Sequence, residues 1–266
     1  MTVEYDGSEF SGFQWQPSAR TVAGVLEAAL AQLFGEGVKV TGAGRTDAGV
    51  HASGQVVSLA TAANFPFEKL TLALNAMLPP DLSVREAAIV EPEFSARFSA
   101  RERTYVYAIL NRPQPSALLA RHAWHVSRPL DLDAMLAAAA ALVGEHDFRA
   151  FSSALPEQSS VRTVRRLEIE RHDELLRIEI AADGFLHHMV RTIVGTLAEC
   201  GQGRRPPAAI AAALEARERA AAGATAPASG LCLAGVRYAG GYDSYAEPPP
   251  FGPGRARRLD GERAFP

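Results

Sequence analysis

Between Gly42 and Ala52 the chain reads GAGRTDAGVHA. One carboxylate, Asp47, stands two residues after a guanidinium, Arg45, and four before an imidazole, His51. An ionised carboxylate can attack carbon or take a proton, a guanidinium can bind phosphate or hold a carboxylate charged, and an imidazole titrates near neutral pH. Gly42, Gly44 and Gly49 permit backbone with φ > 0 and close approach of a ligand. In extended backbone, residues two apart point the same way, so Arg45 and Asp47 can face one ligand. The same eleven residues could equally be a polar hairpin connection, because Asp-Ala-Gly is ordinary turn chemistry.

The flanking segments must position this loop. Val38-Lys39-Val40 before it and Gln55 to Leu59 after it are β-prone, so the loop is expected to join two strands. Residues 1 to 98 run strand, helix, strand, strand, helix, strand. The first strand covers about residues 1 to 6. The first helix runs from Thr21 to Phe34, with Thr21 as N-cap and Val22, Val25, Leu26, Ala29 and Leu33 on one face. The second runs from Phe67 to Leu78 and stops at Pro79-Pro80. Residues 99 to 240 repeat the order with longer connections: a strand at Arg103 to Asn111, a helix at Leu132 to Val143, and paired strands at Val161 to Arg171 and Leu175 to Ala181. A helix from Leu186 to Cys200 and a strand at Leu231 to Tyr238 complete it, with an extra helix opening at Pro206-Pro207. Two βαββαβ units predict an α+β fold of two ferredoxin-like halves. Their strands would join in a mixed, mostly antiparallel sheet, with helices on one face and a central cleft. Residues 241 to 266, rich in glycine, proline and arginine, are expected to form a mobile tail in which Arg255, Arg257 and Arg258 could touch RNA.

Composition narrows the class. With 266 residues and 47% hydrophobic content the chain can bury a substantial core. It contains no apolar run long enough to span a bilayer, and its acidic start is unlike a secretion signal, so a cytoplasmic location is expected. Cys200 and Cys232 suggest neither a disulfide framework nor a zinc cluster. The formal net charge of −3 argues weakly against nucleic-acid binding, yet every basic residue but Lys39 and Lys69 is arginine, which suits forked phosphate contacts. GC-rich coding would produce the same bias. Position is more telling: Arg97, Arg101, Arg103 and Arg112 bracket one strand, and Arg162, Arg165, Arg166, Arg171 and Arg177 flank or line two more. Some of these would simply form a solvated face.

Set beside the loop, YDGSEFSGFQWQP (Tyr5 to Pro17), FSARERTYVYAIL (Phe98 to Leu110), GEHDFRAFSS (Gly144 to Ser153), GFLHHMVRTIVGTL (Gly184 to Leu197) and GLCLAGVRY (Gly230 to Tyr238) span almost the whole chain. In that order they resemble the tRNA pseudouridine synthase A family, which isomerises uridines at positions 38 to 40 of the anticodon stem-loop. The loop and the HHMVR segment are the specific pieces. The resemblance implies that Asp47 is the catalytic aspartate, attacking the anomeric carbon or removing a 2′ proton; both routes need an ionised carboxylate. It implies that Arg191 supplies the guanidinium for that carboxylate, although an arginine one turn into an amphipathic helix is usually a surface charge. Arg45 is implied to help extrude the target base or fill its place, and Tyr105 to stack on it. Tyr107 shares the Tyr105 face by period, so alternation alone leaves either ring a core role. Flipping costs a few kcal/mol, and an aromatic platform offsets about 1 to 3 kcal/mol of that.

The family further implies tRNA as partner, a homodimer, and an active site in the cleft between the halves. No cofactor is expected: the reaction is redox-neutral, no phosphate-binding fingerprint is present, and His187 and His188, adjacent on a helix, would diverge by about 100° and share no metal. A pure RNA-binding protein and a carboxylate-dependent nucleosidase are the other candidates, the latter disfavoured because such enzymes commonly use two acids. Two features depart from the family: the chain begins almost at YDG, which leaves a short first strand, and nothing in the family covers the arginine-bearing tail.

Overall fold

A computed structural model describes residues 1–153 and 159–251. Arg255, Arg257 and Arg258 lie outside the described residues. The chain is an α+β protein whose strands pair in a mixed, mostly antiparallel way, and it divides into two compact units. The first comprises residues 1–103 with the described residues from Cys232 onward; the second is Thr104–Leu231.

The first unit begins with β1 (Thr2–Tyr5), α1 (Val22–Phe34), β2 (Thr41–Gly42), β3 (His51–Ser58), α2 (Leu70–Met77) and β4 (Leu82–Glu86). β1 lies between β4 and β3, antiparallel to both, and β2 pairs antiparallel with the far edge of β3, which is the ferredoxin-like order. Helix α1 starts where Thr21 Oγ1 accepts the Gly24 N–H at 3.2 Å and ends at Gly35, whose φ of 71° suits a left-handed cap. Its buried face is Val22, Ala23, Leu26, Ala29 and Leu30, turned slightly from the expected one, so that Val25 and Leu33 are only half-buried. A single 3-10 turn at Phe67–Lys69 precedes α2, which takes Phe67 off the helical face and leaves it exposed.

The Val38-Lys39-Val40 segment is not a strand. In the β2–β3 register it would face residues 59–61, past the last residue of β3. Thr41 and Gly42 occupy its far end, opposite Ser58 and Val57, while β10 (Leu231–Tyr238) pairs in parallel with its near end, Cys232 opposite His51 and Leu233 opposite Ala52. One edge of β3 therefore serves two partners. The last strand of the second sequence repeat thus lies beside β3 of the first unit. After it, β11 (Ser244–Tyr245) folds back antiparallel onto β10, with Ser244 Oγ donating to Gly54 O at 2.8 Å. A mobile segment from Gly240 was expected; Ser244, Tyr245 and Ala246 are instead buried, because β10 offers them a free ladder edge. Cys232 and Cys200 are free thiols in buried positions, and burial pushes Cys232 up to about 12, so it stays protonated.

The second unit contains β5 (Ala100–Asn111, whose first four residues belong to the first unit), β6 (Trp124–Val126), α3 (Leu132–Ala139), β7 (Gly144–Asp147), β8 (Val161–His172), β9 (Leu175–Ala182), α4 (Met189–Gly201) and α5 (Ala209–Ala216). Strands run β5-β9-β8-β7, with β6 parallel on β5. β8 and β9 form the long antiparallel pair expected from the sequence, and β7 adds one strand that the periodicity did not indicate. Asp131 caps α3 by accepting the Ala134 N–H at 3.0 Å.

Helix α2 also closes a sheet edge. The Asn75 amide donates to Val84 O and accepts the Val84 N–H, both at 2.8 Å, so the outer backbone groups of that residue of edge strand β4 are satisfied by a side chain. Asn75→Ala is expected to cost about 1–3 kcal/mol, the penalty of two unmade backbone bonds, as measured by denaturant unfolding.

Candidate active site

The Gly42–Ala52 loop is held by buried polar groups beneath it. Gln55, fully buried on β3, donates its amide to Gly44 O at 2.8 Å and accepts the Gly44 N–H at 3.2 Å. Its Nε2 also lies 3.4 Å from the Tyr5 hydroxyl, which hydrogen-bonds Thr46 Oγ1 at 2.8 Å. Burial raises the Tyr5 hydroxyl far above its ordinary range, opposed by its bonds to Thr46 and Gln55, so it remains a neutral strut. The YDG…SGF segment adds backbone contacts: Phe13 N–H to Thr46 O at 3.0 Å and Gly49 N–H to Phe10 O at 3.3 Å. With Gly44 and Thr46 clamped inward, Arg45 between them is exposed and Asp47 is half-buried.

Asp47 begins a tight turn. Its carbonyl accepts the Val50 N–H at 3.1 Å, and Gly49, at the third position, has φ +78°. That is the conformation a type II turn demands of its third residue, which only glycine adopts at no cost. Gly42 and Gly44 were expected to share this left-handed role. Gly42 instead ends β2, and Gly44 spends both backbone groups on Gln55. His51 is buried on β3 with Nδ1 accepting the Gly7 N–H at 3.0 Å, a structural post rather than a third chemical group.

In the second unit, Tyr105 sits on β5 with its ring edge-on to Phe185, centroids 5.1 Å apart. The structure separates it from Tyr107. Tyr107 is wholly buried and donates its hydroxyl to Pro227 O at 2.8 Å, whereas Tyr105 retains 8% of its surface. Burial also raises the Tyr107 hydroxyl well above its ordinary range, opposed by the nearby charge of Arg191. Tyr107 is thus the core ring of the two.

Arg191 lies on α4, and this helix is not an amphipathic surface helix. Apart from Arg191 and Glu199, every residue from Met189 to Gly201 is buried. The helix begins three residues later than Leu186, because His188 takes the left-handed conformation (φ 62°) that a non-glycine residue adopts only where its surroundings hold it. His187 and His188 therefore do not diverge around a helix as expected but precede it, and their rings stack with centroids 3.9 Å apart. His187 Nδ1 is 2.7 Å from Ser153 Oγ.

A strap of backbone, residues 221–226, lies along α4 and fixes Arg191. Arg191 Nε donates to Ala226 O at 2.8 Å, and the Ala226 N–H returns a bond to Arg191 O at 3.0 Å. Further along, Thr196 Oγ1 accepts the Gly223 N–H at 2.9 Å and Glu199 Oε1 accepts the Ala224 N–H at 3.1 Å. Gly195 makes the approach possible, since a Cβ there would stand 1.8 Å from Ala224 O. Arg205 closes the strap by binding Glu199 Oε2 at 2.5 Å and Ala221 O at 2.9 Å, and Arg219 binds Gly223 O at 2.9 Å.

Arg45 and Asp47 therefore share one loop of the first unit, while Tyr105 and Arg191 belong to β5 and α4 of the second. Several of the arginines grouped by sequence have internal work. Arg177 and Arg166 both pair with the buried Glu179, Arg112 binds Glu174 at 2.7 Å, and Arg103 donates Nε and Nη2 to Ala43 O at 3.2 and 3.1 Å. Sequence reasoning missed Tyr5, Thr46, Gln55 and Arg103 as supports of the loop. A polar Gln55 inside a β-prone run was the one available signal.

A family model described as tRNA pseudouridine synthase matches residues 1–99 and 138–239, and the chain belongs to this family of isomerases. Among its relatives, the tRNA pseudouridine synthase A of Moorella thermoacetica is 48% identical over 241 residues, covering 90% of this chain and 98% of that protein. The proteins of that name from Brevibacillus brevis (48% over 237 residues; 89% and 97% covered) and Caulobacter sp. (46% over 242 residues; 90% and 97%) are similar over the same extent. No helix of the described residues is long and apolar enough to cross a membrane.

Glu199 gives a test of the strap. Burial works against its charge, but the Ala224 N–H and the Arg205 guanidinium outweigh this and hold its carboxyl below the ordinary glutamate value. A depressed folded-state value stabilises above the unfolded-state value and is lost as pH falls through the folded one. Glu199→Gln should lower stability by about 1–2 kcal/mol at neutral pH. The gap to wild type should close as pH drops below the ordinary glutamate range of about 4.3, as followed by thermal unfolding across pH.

Proposed function

We propose that this protein converts uridine to pseudouridine in tRNA, at positions 38 to 40 of the anticodon stem-loop, with Asp47 as the catalytic carboxylate. The observation that carries the assignment is the clamped loop of a pseudouridine synthase chain, in which Gly44 and Thr46 are tied inward while Arg45 is exposed and Asp47 half-buried. Catalysis by position needs such a loop, because a carboxylate must meet the sugar within hydrogen-bond reach and without further ordering.

In this reading the target nucleotide leaves the stem stack and Arg45 aids its extrusion or occupies its place. Asp47, ionised, either bonds to the anomeric carbon as the N-glycosidic bond breaks or removes the 2′ proton to leave a glycal. The freed uracil turns and rejoins the sugar through carbon. Tyr105, held edge-on by Phe185, offers the base a ring face, and Arg191, fixed to Ala226, contributes its guanidinium to the substrate side. The enzyme acts in the cytoplasm as a homodimer and needs no cofactor, since the reaction moves no electrons to or from an outside acceptor.

Treating undermodified tRNA with the purified protein and mapping pseudouridine by position tests this directly. Modification confined to positions 38 to 40 is expected, and modification elsewhere or none overturns it. Asp47→Asn should lose product formation by at least about 100- to 10,000-fold while tRNA binding is largely kept. A near wild-type rate in that variant would show the carboxylate to be structural. Arg45→Ala should slow turnover, and wild-type affinity should fall steeply with added salt; a salt-independent affinity would contradict an electrostatic groove.

A further inference from the structure

We propose that the turn Ser95–Ser99 of the first unit is an RNA contact, with Phe98 stacking on a base of the tRNA and Arg97 meeting an adjacent phosphate. The proposal rests on tRNA being the substrate. Phe98 is 81% exposed, and the guanidinium carbon of Arg97 lies 5.3 Å from the centre of its ring. A lone exposed apolar side chain ordinarily carries no message. What distinguishes Phe98 is the rigidity of the backbone that carries it.

Within the turn, the Ser99 N–H donates to Ser95 O at 3.0 Å, and Ser99 Oγ accepts the Ser95 N–H at 3.1 Å. From outside, Ser58 Oγ accepts the Ala96 N–H at 3.0 Å and the Tyr238 hydroxyl donates to Ala96 O at 2.7 Å. Arg103 Nη2 donates to Arg97 O at 2.5 Å. Ala96 itself is fully buried. The turn is thus nailed down at its base while its two largest side chains gain no core contact in return. Ordering of this kind has a use when a ligand later meets the side chains, because the entropy of fixing them is already spent.

Arg103 ties the turn to the Asp47 loop. The same guanidinium that holds Arg97 O holds Ala43 O at the start of the Asp47 loop. The turn and the loop therefore share one anchor, and an RNA engaging one is registered against the other. Arg101, exposed two residues beyond the turn on β5, adds a second cation. An exposed ring flanked by guanidinium groups is the combination that binds bases by stacking and backbone by charge. The other exposed aromatic with a cation on it, Trp15 with Lys39 at 5.4 Å, is only 49% exposed and also packs against Gly24 of α1.

The test compares wild type, Phe98→Ala, Phe98→Trp and Arg97→Ala for affinity and turnover on a tRNA transcript with uridines at 38 to 40. Thermal unfolding and sedimentation of the full chain accompany it. Phe98→Ala should weaken binding and raise KM by about 5- to 150-fold, the loss of one aromatic–base stack, with kcat and unfolding temperature kept. Phe98→Trp should restore the affinity. Arg97→Ala should weaken binding and reduce the salt slope by about one unit. Unchanged affinity in Phe98→Ala would overturn the proposal, as would a lowered unfolding temperature, which marks a structural ring. A shift in sedimentation would also overturn it, assigning the turn to contact between copies of the chain. If wild type binds tRNA yet forms no pseudouridine, the functional reading fails by itself, because the affinity comparison is unaffected.

Discussion

The buried amide of Gln55 is the constraint on which the rest of the first unit turns. A primary amide in a core must satisfy a donor and an acceptor, and here both go to the backbone of Gly44. The side chain thereby imitates a neighbouring strand at a point where no strand is present. Tyr5 and Thr46 complete the network from the other side. In a low-dielectric interior such a network is worth most when every member is satisfied, and it then admits one loop conformation. That is why a loop punctuated by three glycines is orderly.

The second unit reaches a similar end by different means. Helix α4 is sealed on nearly all sides and presents Arg191 and Glu199 as its two incompletely buried residues. Both are engaged by the strap of residues 221–226, which approaches closely enough only because position 195 is glycine. A charged side chain with a hydrogen bond at Nε and a return bond at its own carbonyl has few rotamers left. Local order of this kind is what a functional side chain requires of its supports.

Some elements were legible residue by residue. Thr21 opens the first helix because a hydroxyl acceptor does that work wherever it occurs. Leu231–Tyr238 was delimited by its own composition, and the β8–β9 pair by its length and alternation. Others were not. The strand expected at Val38–Val40 is missing, since the register set by Thr41 opposite Ser58 carries it past the last residue of β3. The helix expected at Leu186 starts at Met189, since His188 takes the left-handed conformation, a choice the apolar periodicity of the segment does not mark. Within the segment expected to be a mobile tail, Ser244–Tyr245 form a strand because they reach a ladder edge of β10.

What the sequence determined alone was the local chemistry and the local geometry: which residues can carry charge near a tight turn, where helices begin and stop, and which strands alternate. Those depend on contacts within a few residues. Only the tertiary structure decided that Gln55 is the clamp, and that Arg103 joins the Asp47 loop to the Phe98 turn. These assignments depend on which partner, from far along the chain, satisfies a buried polar group. No pattern in a single segment encodes that choice.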